Sequence, residues 1–402
     1  MQAASPPRGG FVALVVTAQA LVQIGAFALP ALLPGYIARW DLSKTDAGWL
    51  IGIFFAAYVG AVPVLVAMTD RWPARSVYLA GAALTALSHL GFALWAEGFW
   101  SGMLLRALAG IGWAGCYMPG LRVLADTREG AAQSRAVSWH AAGIGIAGAL
   151  SFLVAGALER IAGAQGAFLL GAACGAVAFL IAAAVMPRAP PARARASVAE
   201  LLDFRPVLRN RAAMGWIAGY AVHTWELAAL RAFGVTFLAS TAARQGTPGW
   251  WPDPTVLFTL AGLIGIAVSV TGNELSQRLG RARVVAAAMG LGAGFALATG
   301  WTTGIAAPLA LALVLLWNAA IYLDSSALTA GTVAAAEPAR RGATMGLHSM
   351  CGYAGGFLGP LGVGVALDLA GGDGVLGWGL GFGHLAAVTL LGLVALRRFG
   401  RG

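Results

Sequence analysis

The sequence is poor in charged residues and has few polar stretches of any length. Of its 402 residues, 10% are charged and 59% are hydrophobic, whereas about a quarter of a soluble domain is charged. This composition excludes an ordinary soluble protein and predicts an integral membrane protein. The only cysteines are Cys116, Cys174 and Cys351. They lie in apolar runs far apart, so we expect buried free thiols and no disulfide framework.

Motifs for catalysis and for bound cofactors are missing as well. The chain has no P-loop, no spacing typical of zinc ligands and no Ser/His/Asp set in an aqueous position. We therefore expect neither an ATP-driven pump nor an enzyme, and we expect no cofactor and no metal. One stretch, MGLHSMC, does combine the soft-metal ligand types Met345, His348 and Cys351. A copper-like ion bound there stays an open alternative.

The chain instead contains twelve apolar runs of about 20 residues, each long enough to cross a bilayer as a helix. They fall near residues 11–34, 47–68, 76–97, 101–124, 136–158, 163–186, 212–238, 255–275, 284–303, 306–331, 343–370 and 375–396. These runs predict an all-α integral membrane protein with twelve transmembrane helices and no separate soluble domain.

The net charge of +10 follows the predicted topology and does not require nucleic acid. We place the N-terminus in the cytoplasm and let the twelve spans alternate. Most of the 26 Lys and Arg then lie at cytoplasmic helix ends or loops, and six lie outside or within spans (Arg39, Lys44, Arg160, Arg244, Arg106 and Arg231). This is the positive-inside bias. It predicts a multi-pass protein of a bacterial-type plasma (inner) membrane, with both termini cytoplasmic.

The chain divides into two related halves. An Arg-rich segment, 187–211, separates six spans from six, which predicts an N-terminal bundle over 1–186, a cytoplasmic linker and a C-terminal bundle over 212–402. MTDRWPARSV matches LSQRLGRARV at an offset of 207 residues, and HAAGIGIAGALSFLVAG lies over HSMCGYAGGFLGPLGVG at an offset of 208. A six-helix unit used twice is typical of transporters whose substrate site lies between the halves.

The repeated motif identifies a family. The loop VAMTDRWPAR after the second span resembles the signature loop of the major facilitator superfamily, and NELSQRLGRAR is its second copy. In that family this loop acts as a cytoplasmic latch. The resemblance therefore implies latch roles for matching residues of both copies (Asp70, Arg71, Arg75, Arg278, Gly280 and Arg281). It also implies two pseudosymmetric six-helix bundles, alternating access and a monomer in the lipid bilayer.

The seventh span carries charged residues where lipid is expected, in the stretch HTWELAALR. Placing a charged carboxyl at the centre of a span costs roughly 2.5–3.5 kcal/mol, and protonating it at neutral pH costs roughly 3.7 kcal/mol. Because these costs are comparable, Glu226 is our first candidate for proton coupling. His223 lies on the same face and either passes a proton to Glu226 or hydrogen-bonds it. Asp324, in the tenth span, is the third candidate. The alternative for Glu226 is a structural ion pair with another helix, and the alternative for Asp324 is a solvated position near the cytoplasmic end of its span.

The fourth span presents Arg106, Trp113 and Tyr117 on one helical face. The segment LLRALAGIGWA resembles a superfamily motif whose arginine is tied to proton transfer in proton-coupled members. An arginine beside aromatic rings suits a small solute with an anionic group and an apolar body. The alternative is a buried arginine bonded to backbone carbonyl groups.

Further polar residues of the spans are candidates for substrate contact. They occur in the first, seventh and tenth spans (Gln19, Gln23, Tyr220, Arg231, Asn318 and Tyr322). For the two glutamines, hydrogen bonding between packed helices is the alternative. His140 and His348, near the starts of the fifth and eleventh spans, are expected to be structural.

These observations predict a secondary active transporter of a small organic, anionic solute, coupled to protons by symport or antiport. Three alternatives stay open. Aromatic side chains of the spans would also suit a proton-driven efflux pump for amphipathic drugs. A sodium ion could replace the proton. A non-transporting membrane sensor or assembly protein on the same scaffold is the third.

Overall fold

The computed structural model describes residues 10–69, 71–188, 203–246 and 249–400. These residues form α-helices joined by short turns, with two short 3-10 helices at Thr302–Gly304 and Pro338–Arg340 and no strand in the described ranges. The α-helices are α1 Phe11–Gln23, α2 Ala28–Ala31, α3 Leu33–Trp40, α4 Lys44–Met68, α5 Ala74–Trp95, α6 Phe99–Thr127, α7 Gly130–Val185, α8 Arg205–Arg209, α9 Arg211–Gln245, α10 Pro254–Leu279, α11 Arg281–Trp301, α12 Ala307–Ala335, α13 Arg341–Leu369 and α14 Val375–Phe399.

Eight helices of the described chain are long and apolar enough to cross a membrane by length and composition: α4, α5, α7, α10, α11 with the 3-10 turn that follows it, α12, α13 and α14. The 56-residue α7 covers two of the predicted spans. The fourth and seventh predicted spans, α6 and α9, are long but are not among the eight. They carry Arg106, His223, Glu226 and Arg231, and polar side chains lower the mean hydropathy of a helix.

The first predicted span, 11–34, is not one continuous helix. Helix α1 ends at Gln23, and the chain becomes helical again at Ala28. Pro30 and Pro34 follow, and proline lacks the backbone N–H that a continuous helix needs. The hydroxyl of Ser151 in α7 occupies the break, donating to the Ile24 carbonyl at 2.6 Å and accepting from the Phe27 N–H at 3.1 Å. A side chain of another helix thus satisfies backbone groups that the interruption leaves without helical partners.

The fifth and sixth predicted spans join at Gly163 within α7. The φ angle of Gly163 is +71°, which breaks the helical path between the two halves of α7. Because a side chain would be strained in this conformation, glycine is the residue expected there. The predicted boundary between residues 158 and 163 therefore falls at a tight kink.

The described chain groups into two compact units. Unit 1 comprises Met1–Ala28 and Ala57–Leu201, in which α1, α5, α6 and α7 pack together. The backbones of α5 and α6 approach closely, since a Cβ added to Gly81 would lie 2.6 Å from the carbonyl carbon of Gly115. Small residues allow this close contact between membrane helices.

Unit 2 comprises Leu29–Ala56 and Leu202–Gly402. It contains α8 to α14, together with α3 and the first half of α4. Large buried rings fill its interior: Trp317, Trp378, Phe233, Phe237 and Phe382. Ser197 followed by Glu200 is a possible capping box that predicts a short surface helix near 198–204. That stretch lies mostly outside the described residues, and the short helix α8 begins at Arg205. The division of the chain at 187–211 stays a prediction.

Candidate functional site

The carboxyl group of Glu226 is buried inside unit 2, near the middle of α9, and the residue is 4% exposed. Its Oε1 accepts a 2.5 Å hydrogen bond from Nε1 of Trp317 in α12, and its Oε2 accepts a 2.9 Å hydrogen bond from the hydroxyl of Thr389 in α14. A Cβ added to Gly292 in α11 would lie 3.2 Å from Oε1. Side chains and backbone of four helices therefore enclose the acid, and both of these donors are uncharged.

A histidine and an aspartate meet nearby, between the same two helices, α9 and α12. Nδ1 of His223 lies 2.7 Å from Oδ1 of Asp324, and both side chains are buried. The structure thus directs Nδ1 of His223 to Asp324, whereas the sequence placed this histidine beside Glu226. At 3% exposure, Asp324 is not a solvated acid at the end of a span. The contact therefore joins two buried ionisable side chains of different helices.

Tyr220 and Thr224 lie on the face of α9 that meets α13. The ring of Tyr220 stacks against the rings of His223 and His348. The hydroxyl of Thr224 donates to the backbone carbonyl of Gly352 at 2.5 Å. Tyr220 was predicted as a substrate contact, and the structure places it between two histidines.

Arg231 lies further along α9 and is only partly buried. Its Nη2 donates to the hydroxyl of Tyr322 in α12, and its guanidinium carbon lies 5.7 Å from the centre of that ring. One turn earlier in α12, Nδ2 of Asn318 donates to the Ala261 carbonyl of α10 at 2.9 Å. Three predicted substrate contacts of unit 2, Arg231, Tyr322 and Asn318, therefore lie near one another.

Unit 1 holds the other arginine of the spans. Arg106 in α6 is 2% exposed, and its Nη2 donates a 3.3 Å hydrogen bond to the carbonyl of Ala26, inside the break of the first span. The ring centres of Trp113 and Tyr117 lie 5.7 Å apart, and the Tyr58 ring packs 4.7 Å from Trp113. The arginine thus bonds a backbone carbonyl, as the alternative interpretation expects, and the three aromatic rings pack against one another.

Gln19 and Gln23 are both buried in α1. A Cβ added to Gly120 in α6 would lie 3.3 Å from Oε1 of Gln19 and 3.3 Å from Nε2 of His140. A Cβ added to Gly148 in α7 would lie 3.7 Å from Nε2 of Gln23. Both amides therefore face neighbouring helices, where polar packing and substrate hydrogen bonding both stay open.

The first copy of the predicted latch lies after α4. Asp70 lies outside the described residues, and Arg71 is exposed in the turn. Nη2 of Arg75 donates to a backbone carbonyl near the end of α7 at 2.7 Å. Nη1 of Arg122, which the sequence did not indicate, donates to the hydroxyl of Thr69 at 2.6 Å.

The second copy joins α10 to α11. Arg278 lies in the last turn of α10, and Arg281 is the first residue of α11. Gly280 between them has a φ of +93°, a conformation that side chains rarely adopt. The glycine of this motif therefore forms a sharp helix-to-helix junction.

Sequence reasoning missed both Trp317 and Thr389 as partners of Glu226. A buried indole N–H needs an acceptor, so an intramembrane tryptophan could have been paired with an intramembrane acid. Thr389 gives no such signal, because threonine hydroxyls within helices commonly bond the carbonyl one turn back. His140 and His348, expected close to the membrane surface, are both buried.

The described residues contain no group of three or more His, Cys, Asp or Glu side chains that could hold a metal ion. Methionine is not among these side-chain types, so the alternative of a copper-like ion at Met345, His348 and Cys351 stays open. Cys116, Cys174 and Cys351 are free thiols.

Comparison with known sequences indicates one family over most of the chain. A sequence model described as "Major Facilitator Superfamily" matches residues 15–360. Monocarboxylate transporter 11 of Homo sapiens is 29% identical over 312 residues, which cover 67% of this chain and 64% of that protein. Monocarboxylate transporter 11 of Mus musculus is 28% identical over 308 residues, covering 67% of each. The match thus spans about two thirds of the length of these curated relatives.

Solved structures of similar fold are transporters. A bacterial homolog of the human lysosomal transporter Spinster, inward-facing and unoccupied, has a TM-score of 0.80 at 17% identity, with 99% of this chain and 97% of that chain covered. A point mutant of the nucleoside transporter NupG gives 0.79 at 15% identity, with 97% and 99% covered. The human organic anion transporter MFSD10 gives 0.69 at 21% identity, with 98% and 100% covered. At these identities the likeness establishes the fold alone.

Proposed function

Because this chain belongs to the major facilitator superfamily, as a multi-pass membrane protein and a secondary transporter of small solutes, we propose that it couples the movement of a small organic anion to protons. Membership of this family supports transport, and we expect no enzyme activity. The solute class and the coupling ion are the proposal.

The observation that carries the proposal is the pair of buried acids between α9 and α12. Glu226 receives hydrogen bonds from an indole and a hydroxyl, and Asp324 faces the titratable ring of His223. An ion-coupled carrier needs groups that alternate between charged and neutral forms inside the membrane, and intramembrane carboxyls of this kind mark proton relays. In these contacts neither Glu226 nor Asp324 has an arginine or a lysine as its partner.

The solute class follows from the arginines. The guanidinium of Arg231 is partly exposed, and it donates to an uncharged group, the hydroxyl of Tyr322. Arg106 is buried and bonded to Ala26, so an anion there would compete with a backbone carbonyl. Arginine binds carboxylates through paired N–H groups. The curated relatives are named monocarboxylate transporters, which favours a small monocarboxylate. We assign the anion to Arg231 first and to Arg106 second.

A second candidate is efflux of amphipathic drugs, and the aromatic cluster of Tyr58, Trp113 and Tyr117 in unit 1 favours it. Such rings suit apolar bodies of varied shape. In this structure, however, the rings pack against one another and Trp113 is buried, so the cluster offers little free ring surface.

The deciding experiment measures proton movement in liposomes that hold the purified full chain and a trapped pH dye. Pyruvate, succinate and ethidium are added in turn as a monocarboxylate, a dicarboxylate and an amphipathic cation. We expect pyruvate to give the largest dye response and Glu226→Gln to lower it at least tenfold. Glu274→Gln, which changes an exposed glutamate of α10, should leave it within about twofold. A response to ethidium alone would support efflux. Solute uptake without any dye response would overturn proton coupling.

The same proposal includes the membrane and the topology. We place both termini on the cytoplasmic side of a bacterial-type plasma membrane, because Lys and Arg concentrate at that side under the positive-inside rule. In a cysteine-free background, Arg244→Cys should react with an impermeant thiol reagent on intact cells and Arg278→Cys should not. The opposite labelling would reverse the orientation. Light scattering in detergent should give a monomer of 40.9 kDa after subtraction of the micelle.

A further inference from the structure

Three rings stand side by side in unit 2, between α13 and α9. The ring of His348 lies on the ring of Tyr220, with centres 3.8 Å apart and planes 18° apart. The ring of Tyr220 in turn lies 5.7 Å from that of His223, with planes 17° apart. Because His223 contacts Asp324, the three rings connect a second histidine to the buried acid pair.

The surroundings of His348 suit a ring that carries protons on both nitrogens. Nδ1 lies 3.1 Å from the hydroxyl of Thr332, and Nε2 lies 3.4 Å from the hydroxyl of Thr329. These hydroxyls also donate to the carbonyls of Leu328 and Ser325 in α12. A hydroxyl has a single proton, so an oxygen that donates to a carbonyl is left to accept from the ring. Rotation of a hydroxyl also suits the neutral ring, so His348 can gain or lose a proton without moving.

His348 also lies closer to one end of unit 2 than the acid pair does. Nδ2 of Asn210, just before α9, donates to the carbonyl of Ala335, the last residue of α12. Val207, Ile217 and Leu347 form an apolar cluster that joins the starts of α9 and α13. The start of α9, the end of α12 and the start of α13 therefore meet at this end, which we call the linker end. At 1.5 Å per residue, His348 lies about 10 Å along its helix from this end and His223 about 18 Å.

Resting on the proposed proton coupling, we infer that His348 is a further proton-binding residue of the transport cycle, acting between the linker end and the His223–Asp324 pair. A proton binds one ring nitrogen of His348 and gives an imidazolium whose two N–H groups face hydroxyl oxygens. The Tyr220 ring stabilises this cation through its face. Release of the proton restores the neutral ring. Imidazolium charges on both histidines flanking Tyr220 would repel, so we expect the two residues to hold the proton in turn.

The titratable groups around His348 come from three helices. α9 contributes Tyr220 and His223, and α12 contributes Asp324 through its contact with His223. On α13 itself, Cys351 lies one turn further and packs against the apolar cluster at the linker end. In this set the carboxyl faces His223 and not His348, so His348 has hydroxyls in place of a fixed counter-ion.

The test separates net proton-driven uptake from solute exchange. Two assays use proteoliposomes that hold the full chain. In the first, an inward proton gradient drives the uptake of labelled pyruvate. In the second, the pH is equal on both sides, and labelled pyruvate outside exchanges with unlabelled pyruvate inside. His348→Phe keeps a ring against Tyr220 but cannot hold a proton. We expect it to lower gradient-driven uptake at least tenfold and to leave exchange within about twofold. His348→Gln, which retains one hydrogen bond to Thr332, should behave in the same way and serves if the Phe variant does not fold.

His384→Phe is the matched control. This histidine is also in unit 2, but it bonds Trp225 and the Gly381 carbonyl. We expect both modes of transport to survive the change. Unchanged uptake in the His348 variants would overturn the inference. Equal loss of uptake and exchange at unaltered thermal stability would also overturn it, because His348 would then serve every mode of transport and not the proton step. A wild-type protein that exchanges pyruvate without responding to the gradient would instead overturn the proposed proton coupling itself.

Discussion

The indole N–H of Trp317 donates to the carboxyl of Glu226 at 2.5 Å, and both side chains are buried in unit 2. The same two helices, α9 and α12, also carry the contact between His223 and Asp324. Two contacts that each involve a buried acid therefore join one helix pair. Because each acid depends on the partner helix for a hydrogen-bond donor or a counter-ion, a change of protonation at either acid alters the packing energy of this pair.

The first prediction is an energetic coupling between Trp317 and Glu226. In a double-mutant cycle with Trp317→Phe and Glu226→Leu, we expect an interaction free energy of about 1–2 kcal/mol, since a hydrogen bond to a charged group contributes roughly 1.5–3 kcal/mol. Reversible unfolding in detergent measures it. The matched control is Trp378→Phe, because this buried indole bonds Ser240. Its effect should add to that of Glu226→Leu. An additive cycle for Trp317 as well would contradict the prediction.

Much of this fold could be predicted from the sequence because apolar runs of a set length report directly on the bilayer. The break in the first span could not be located, since it depends on Ser151, a residue of a distant helix. Helical periodicity found Glu226, His223 and Asp324, but periodicity on separate helices does not tell which acid faces which donor. The contact of His223 with Asp324 follows from the rotation and register of α9 against α12, which only packing determines.

The second prediction concerns the stability of the broken first span. Ser151→Ala removes a hydroxyl that bonds the backbone at both Ile24 and Phe27. We expect the free energy of unfolding to fall by about 1–3 kcal/mol, because buried backbone groups lose their partners. Thermal or denaturant unfolding of the purified protein measures it. Ser138→Ala should have almost no effect, since that exposed hydroxyl bonds only the carbonyl of Ser134 in its own helix. Equal stability of the two variants would argue against the role of Ser151.

The third prediction concerns Asp368, whose carboxylate accepts from the backbone N–H groups of Lys44 at 3.0 Å and Thr45 at 2.7 Å. A carboxylate at the first amides of a helix contributes about 1 kcal/mol. We therefore expect Asp368→Asn to raise amide hydrogen exchange in the first turns of α4 by about fivefold. Asp373→Asn is the control, because its contacts with Lys44 at 3.8 Å and Arg244 at 3.9 Å are long and partly exposed. Equal exchange in both variants would refute a capping role for Asp368.

The last prediction distinguishes the two arginines as anion sites. Arg231→Lys keeps the positive charge but loses the planar pair of N–H donors, so an anion bound there loses a charge-assisted hydrogen bond. We expect the KM for pyruvate to rise roughly 10–100-fold, the equivalent of about 1.5–3 kcal/mol, with kcat changed far less. Tyr322→Phe removes only the hydroxyl that accepts a hydrogen bond from Arg231 and should change KM by less than about threefold.

Arg106→Lys should mainly lower stability, because its guanidinium bonds Ala26 inside unit 1. A large rise in KM for Arg106→Lys, together with an unchanged KM for Arg231→Lys, would move the anion site to unit 1. An unchanged KM in both variants would refute an arginine-bound anion and favour an uncharged or cationic solute.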